Sequence, residues 1–524
     1  MQNSLSAFEL PTSVEFPVSL CEKLTRDKRS ARVSKYSIFT WTESSIWTDP
    51  QHGSVANGFE IGRLGKGHRG NRYYIIPRIE SLIENSNALN NEAKRQISDR
   101  GSRMSGFSIS KRFDGIELIL SELRTQYGDR FQRLDESCSF KSVSDCKQIL
   151  FTEHDDGSLQ RPDRLWTLFA TKGPLRKPTK SKILVYSDTI EPRQIEIISS
   201  RLKNSLSKLS PLTEVEATSF KDATEILENS KKEENIIGYI GVSGGPGTPI
   251  SDLVSSHMKK LDMLRRSYRA FGTKTLSERY ALNDQVTHLI ELLGGQSYRL
   301  KPVRGFENVT YIGFDLGHPK SRQFSIPVMT IVNSKGALLG YWKGKQSRDE
   351  TLTSQTIVEA TKWLKSVRLK LNLTDEWIVI RDGKSFQNDG IKHLIEYLGG
   401  KTAYIEVIKN PVPLVAQFQM LASPGTLATW DDSNEAILQT ETPLVHHQVG
   451  RPVRLKVKQN SLGRSIESLA AAVFSLCHAP SLGLRSTRLP SPIYWADGLA
   501  KECGRSIQFS GIHHALNNEQ RLDL

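Results

Sequence analysis

Two apolar rhythms divide this chain. Short, mostly apolar runs stand at 181–187, 236–242, 309–314, 326–332, 337–342, 377–380 and 403–408, the pattern of buried strands. Between them apolar residues recur at a 3.6-residue period, which predicts helices over 195–209, 390–398 and 466–477. A longer helix carries Ile357, Val358, Ala360, Trp363, Leu364, Val367 and Leu371. Strand–helix alternation through 181–242 reads as a Rossmann-like α/β unit. Farther on, 309–342 reads as a three-strand meander. Its first strand ends on Asp315, and Asn333-Ser334-Lys335-Gly336 supplies a turn, because Asn and Gly tolerate φ > 0. The 377–380 run ends in Arg381-Asp382-Gly383, and a last helix runs out of the 488–497 stretch through Cys503.

The first part of the chain is less regular. Strand-like pieces at 36–41 and 73–77, a helical piece at 116–123 and a mixed polar segment at 138–151 are joined by Gly- and Arg-rich connections, giving a mixed α+β region. Composition shifts to Pro, Gly and Lys around 172–180, which marks a boundary near residue 178. The chain is then read as 1–178, an α/β domain at 179–305 and a second α/β domain at 306–524. Its 524 residues are enough for roughly three domains.

Composition adds a partner. With 37% hydrophobic and 24% charged residues the chain reads as globular, but its net charge of +14 points to a polyanion, nucleic acid first. Cys21, Cys138, Cys146, Cys477 and Cys503 form no Cys-x-x-Cys pair, so neither a zinc ribbon nor a disulfide framework is indicated, and a reducing cytoplasm is expected. No basic-then-apolar leader opens the sequence, and no run approaches the ~18 apolar residues of a membrane span, so no membrane partner is expected.

Two glycine-rich stretches invite a nucleotide reading and fail it. The segment 62–70 lacks the Gly-Lys-Ser/Thr ending of a P-loop, and 243–247 is no GxGxxG fingerprint. The first is a basic loop for a nucleic-acid backbone or simply a solvated loop. A helix is read over 251–269, dense in Lys259, Lys260, Arg265, Arg266 and Arg269 with Tyr268 and Phe271 interleaved. Such a helix grips a phosphate and stacks a base, or else it is a solvated charged face with Leu261 and Leu264 inward.

Asp315 and Asp382 both leave apolar strands, and a late helix brings Asp497. Carboxylates converging from separate strand and helix ends are what a two-metal phosphodiester cleaver needs, with Mg2+ or Mn2+ ions about 3.5–4 Å apart activating water and steadying the leaving oxygen. Meander, helix, strand with Asp, then late helix with Asp is the RNase H order of elements. On Tyr311-Ile312-Gly313-Phe314-Asp315, Ile380-Arg381-Asp382-Gly383, Gly450-Arg451-Pro452 and Arg488-Leu489-Pro490-Ser491-Pro492-Ile493-Tyr494-Trp495-Ala496-Asp497, the chain from about 180 onward resembles the MID and PIWI domains of a prokaryotic Argonaute. The resemblance implies a catalytic tetrad of Asp315, Glu350, Asp382 and Asp497, with Asp315, Asp382 and Asp497 on the two metal ions. Glu350 stands in the Gly/Lys-rich loop ahead of the long helix, where the family carries its mobile glutamate finger; Asp349 and Glu359 are its substitutes. Trp495-Ala496-Asp497 stands where the family has Tyr-Ala-Asp.

Two departures accompany the resemblance. The family holds the guide 5′ phosphate in MID with Lys and Gln, one Lys standing two residues before a Gly-Gly; here Leu292 occupies that place before Gly294-Gly295, and no Gln is evident near 271–275. Lys259, Lys260, Arg265 and Lys274, or a metal on the terminal carboxylate of Leu524, are the compensating groups; without compensation a 5′-hydroxyl guide is favoured. Second, 178 residues are too few for both the N domain and PAZ of a long Argonaute, so PAZ is expected to be absent or reduced. The function implied is a guide-directed, metal-dependent endonuclease, with a short guide DNA or RNA and a complementary target as partners, acting in defence against invading DNA. A guide-binding module that signals to an associated effector protein is the alternative.

Overall fold

A computed structural model describes paired strands within residues 4–82 and 132–150. From 165 to 505 it describes all residues except 231–233, 243–250, 265, 273–278, 318–324, 346–351, 372, 386–389, 410–411, 413–414, 418–419, 431–433, 442–451 and 480–485. The chain forms two compact units, one of Met1–Val143 with Ile408–Lys456 and one of Ser144–Val407 with Val457–Leu524.

The second unit begins with the Rossmann-like part. Strand β1 (Ser181–Ser187) pairs in parallel with β2 (Thr213–Ala217) on one side and β3 (Ile236–Val242) on the other, and β4 (Tyr268–Gly272) lies parallel beyond β3. Helix α1 (Pro192–Leu209) starts at Pro192, whose fixed φ suits the first helical position. Helix α2 (Phe220–Asn229) starts on Ser219, which accepts a hydrogen bond from Asp222 N at 3.1 Å. Helix α3 (Asp252–Met263) and α4 (Arg279–Leu292) complete the layers. The cationic helix expected over 251–269 therefore ends early. Tyr268 and Phe271 are buried on β4, Phe271 stacked on Tyr239 with ring centroids 4.2 Å apart, so neither offers its face to a base.

The meander follows. Strands β5 (Val309–Gly317), β6 (Ile326–Val332) and β7 (Leu338–Lys343) are antiparallel neighbours. Helix α5 (Ser354–Arg368), capped by Thr353, leads to β8 (Glu376–Asp382), which returns parallel to β5; α6 (Ile391–Leu398) then leads to β9 (Thr402–Ile408), parallel to β8. The order β7-β6-β5-β8-β9 is that of an RNase H-like sheet. One face packs on α5 and α6 through Ile312, Phe314, Ile357, Leu364, Val379 and Leu394. Helices α7 (Ile466–Leu476) and α8 (Ser491–Arg505) come last.

In the first unit, strands Arg29–Ser34, Ser37–Asp49, Gly53–Gly67 and Gly70–Leu82 form an antiparallel sheet in chain order. The glycine-rich 62–70 stretch is the end of one hairpin, with Gly67 opposite Gly70. Strands Ser139–Ser142, Thr426–Thr429, Glu435–Leu438 and Val453–Asn460 pair antiparallel in that order, so residues 408–456 group with the N-terminal part of the chain. The helical reading of 116–123 lies outside the described residues. Among the described residues no helix is long and apolar enough to cross a membrane.

Candidate active site

Parallel pairing sets the first two carboxylates side by side. The β5–β8 register runs from Val309 opposite Glu376 to Phe314 opposite Arg381, and Asp315 and Asp382 are the next residue on each strand. Adjacent strands lie about 4.8 Å apart, and residues in register point to one face. Both aspartates are half-buried; Asp382 is the last residue of β8, whereas β5, expected to end on Asp315, continues to Gly317 because Leu316 and Gly317 go on pairing with Pro327 and Ile326. Asp315 accepts a hydrogen bond from Leu316 N at 2.8 Å. Oδ1 of Asp382 is shielded from solvent. Beyond Asp382 the chain turns through Gly383 at φ 77°, a left-handed conformation that favours glycine, and Gly383 N donates to Val407 O at 2.9 Å.

Helix α8 lies against the same face. Gly313, Asp315 and Gly317 alternate onto one side of β5. A Cβ at Gly313 would stand 2.3 Å from the backbone carbonyl of Pro492, and one at Gly317 would stand 2.2 Å from the Ala500 methyl. Helix α8 thus sits directly on the backbone of β5 from Pro492 to Ala500, and Asp497 lies between these contacts. Thr330 Oγ1 donates to Pro492 O at 2.6 Å, while Ile326 and Val328 pack on Ala496, Leu499 and Ala500. The two glycines that seat this helix were not read from the sequence as site determinants. Their signal is the Gly-x-x-x-Gly spacing on a strand, matched by small Ala496 and Ala500 on the helix.

The structure carries Asp315 and Asp382 one residue beyond the last paired residues of β5 and β8 and lays the helix of Asp497 on the face of β5 shared by Gly313, Asp315 and Gly317. Among the described residues no three His, Cys, Asp or Glu side chains are gathered closely enough to hold a metal ion. Glu350, Asp349, Arg265, Lys274 and Leu524 lie outside the described residues. Lys260 is exposed and ion-paired with Glu228 at 2.7 Å; Lys259 on the same helix is half-buried. Leu292 is only 4% exposed, at the end of α4. The donor chemistry at the strand ends is all oxygen, the kind that Mg2+ and Mn2+ take.

No family model matches the sequence. Among curated proteins, the chain is similar to protein argonaute of Thermus thermophilus, 28% identical over 212 residues, which is 39% of this chain and 29% of that protein. The match thus spans less than a third of the curated relative. Among solved structures, Drosophila Piwi superposes with a TM-score of 0.70 at 12% identity, covering 97% of this chain and 87% of that one. Marinitoga piezophila Argonaute, solved with a 5′ OH guide RNA and target DNA, gives 0.65 at 14% identity, covering 92% and 84%. Clostridium butyricum Argonaute, bound to a guide DNA and a 19-mer target DNA, gives 0.63 at 13%, covering 91% and 83%.

Proposed function

We propose that this chain, which has the Argonaute fold with a Rossmann-like MID and an RNase H-like PIWI part and resembles the prokaryotic Argonautes, binds a short guide strand and cleaves a complementary target, DNA by preference, in the cytoplasm as a defence against invading DNA. Residues 179–305 act as the MID domain that receives the guide 5′ end. Residues 306–524 act as PIWI, and 1–178 as an N/linker-like region. What supports cleavage is one observation: Asp315 and Asp382 directly follow Phe314 and Arg381, the last paired residues of the adjacent parallel strands β5 and β8, and the helix of Asp497 is seated on the face of β5 that carries Gly313 and Gly317.

The donor types fit two Mg2+ or Mn2+ ions. Asp315, Asp382 and Asp497 would hold them, with Glu350 completing the set from its loop. When bound, such ions lower the pKa of a water and neutralise charge on the scissile phosphate. The chain's own residues do the rest. The β5–β8 register sets the carboxylate spacing, α8 closes the face against bulk water, and the surplus of cations over anions holds the nucleic-acid backbone. Lys259, Lys260, Arg265 and Lys274, with the Leu524 carboxylate, are the candidates around the guide 5′ end.

The alternative is a guide-binding module that signals to an associated effector protein. It is favoured by the absence, among the described residues, of three gathered metal-ligand side chains. One pair of assays separates the readings. Guide-loaded cleavage with Mg2+ or Mn2+ should be lost in Asp382→Ala and in Asp315→Ala, while filter binding of guide and target stays within about twofold, because affinity resides in phosphate contacts. Undiminished cleavage by both variants overturns the active-site assignment; a wild-type protein that binds but never cleaves selects the alternative.

A further inference from the structure

The turn that follows Asp382 is tied to β9 by a buried carboxylate on the opposite side of the sheet from Asp382. Ser385 N donates to Glu406 Oε1 at 2.8 Å, and Ser385 Oγ donates to the same oxygen. Glu406 is 2% exposed and stands in register with Arg381, itself 3% exposed, so a buried cation faces the buried anion across the β8–β9 pair. Tyr404, two residues before Glu406 and on its side of β9, is buried in the same core, and that burial pushes its hydroxyl up to about 12. The chain between is short. Asp382 closes the ladder opposite Val407, Gly383 donates to Val407 O, and Ser385 is anchored to Glu406.

A buried glutamate costs free energy unless it is paired and hydrogen-bonded. Offsetting the charge of Glu406 needs only a cation nearby, and Arg381 stands in register with it. The two donors of Ser385 do something that offset does not require: they fix where the backbone goes immediately after Asp382. We infer that Ser385, held by Glu406, is a positioning residue that sets the orientation of the Asp382 carboxylate for metal binding. This inference rests on the proposed two-metal site. Groups that orient a metal ligand from behind typically change metal affinity or activity by about 10–100-fold when lost.

The test compares wild type with Ser385→Ala, Ser385→Thr and Asp382→Ala in the full chain. The readouts are the melting temperature, Mn2+ affinity by titration of free Mn2+ in electron paramagnetic resonance, and single-turnover cleavage of a guide-paired target. Ser385→Ala should melt close to wild type, because Ser385 N still caps Glu406. It should bind Mn2+ about 10-fold more weakly and cleave about 10-fold more slowly at limiting Mn2+, with the rate recovering as Mn2+ is raised. Ser385→Thr, which keeps the hydroxyl, should restore affinity and rate. Unchanged Mn2+ affinity in Ser385→Ala overturns the inference, and so does a loss that Thr fails to rescue or that only tracks a fall in melting temperature. If Asp382→Ala also binds Mn2+ as wild type does, the two-metal reading itself fails. If Asp382→Ala loses Mn2+ and Ser385→Ala does not, only the positioning role fails.

Discussion

Replacing Gly313 by Ala tests the seat of α8 directly. The added methyl would stand 2.3 Å from the carbonyl carbon and oxygen of Pro492 and 2.8 Å from its Cβ. Two of those atoms are backbone, so no side-chain rotation relieves the clash, and the first turn of α8 must retreat by about 1 Å to reach ordinary contact. The same retreat stretches the bond from Thr330 Oγ1 to Pro492 O and leaves a fully buried hydroxyl short of its acceptor. Overpacking of this kind costs about 1–3 kcal/mol and the hydrogen bond about 1 more, so the loss should be about 2–4 kcal/mol. Gly400→Ala is the control: its φ is not positive and nothing lies within 4 Å of the new methyl, so neither strain nor overpacking is added. The assay is urea unfolding followed by far-UV circular dichroism, with equal slopes required before midpoints are compared. Gly313→Ala should lose more stability than Gly400→Ala and, because α8 carries Asp497, should also cleave slowly in the folded state. A Gly313→Ala protein as stable as wild type would refute the close packing of α8 on β5.

Three further outcomes are expected. Glu350→Ala should abolish cleavage with an unchanged melting temperature, because a carboxylate whose role is to complete the proposed metal site contributes to catalysis rather than to the fold; if Asp349→Ala is the inactive variant, the finger residue is one position earlier. Burial, with Lys260 acting in the same sense and Glu228 against it, holds the His257 imidazole below its ordinary 6.5. The unfolded chain then takes up the proton first as pH falls, so stability is full above about pH 6.5 and declines below it; His257→Gln should flatten that decline in denaturation measured at several pH values, and an equal decline refutes the assignment. In competition at fixed salt, 5′-hydroxyl guides should bind within about tenfold of 5′-phosphorylated ones, and Leu292→Lys should lower the melting temperature, since Leu292 is buried, without improving phosphate binding; a hundredfold preference of wild type for phosphate overturns this.

The end of β8 at Asp382 was legible because the apolar run breaks into Arg381-Asp382-Gly383, and Ile326–Val332 came out at its read boundaries; β5 outran its expected end at Asp315, because its pairing with β6 carries on to Gly317. The helix over 251–269 was misread for a physical reason. Arg265, Arg266 and Arg269 have a spacing that suits a solvated helix face, and one-dimensional spacing does not reveal that Tyr268 and Phe271 are buried beside β3. Gly313 was read only as part of a strand and Gly317 was not singled out, because the helix that needs their bare backbone lies far along the chain. Glu406 was read simply as part of a strand; its partners Arg381 and Ser385 become visible only once β8 and β9 are laid in register.

The first unit is discontinuous in sequence, and that has a consequence for how the protein comes off the ribosome. Ser139–Ser142 pairs with Thr426–Thr429, and Ser4–Leu5 with Val415 and Ala416, so N-terminal strands wait for partners made after most of the chain. Synthesis at about 5–20 residues per second makes that wait tens of seconds, with strand edges unpaired meanwhile. The segment first to emerge is then among the last to be completed, and a fragment ending before residue 408 would leave those edges bare however well β5 and β8 had formed.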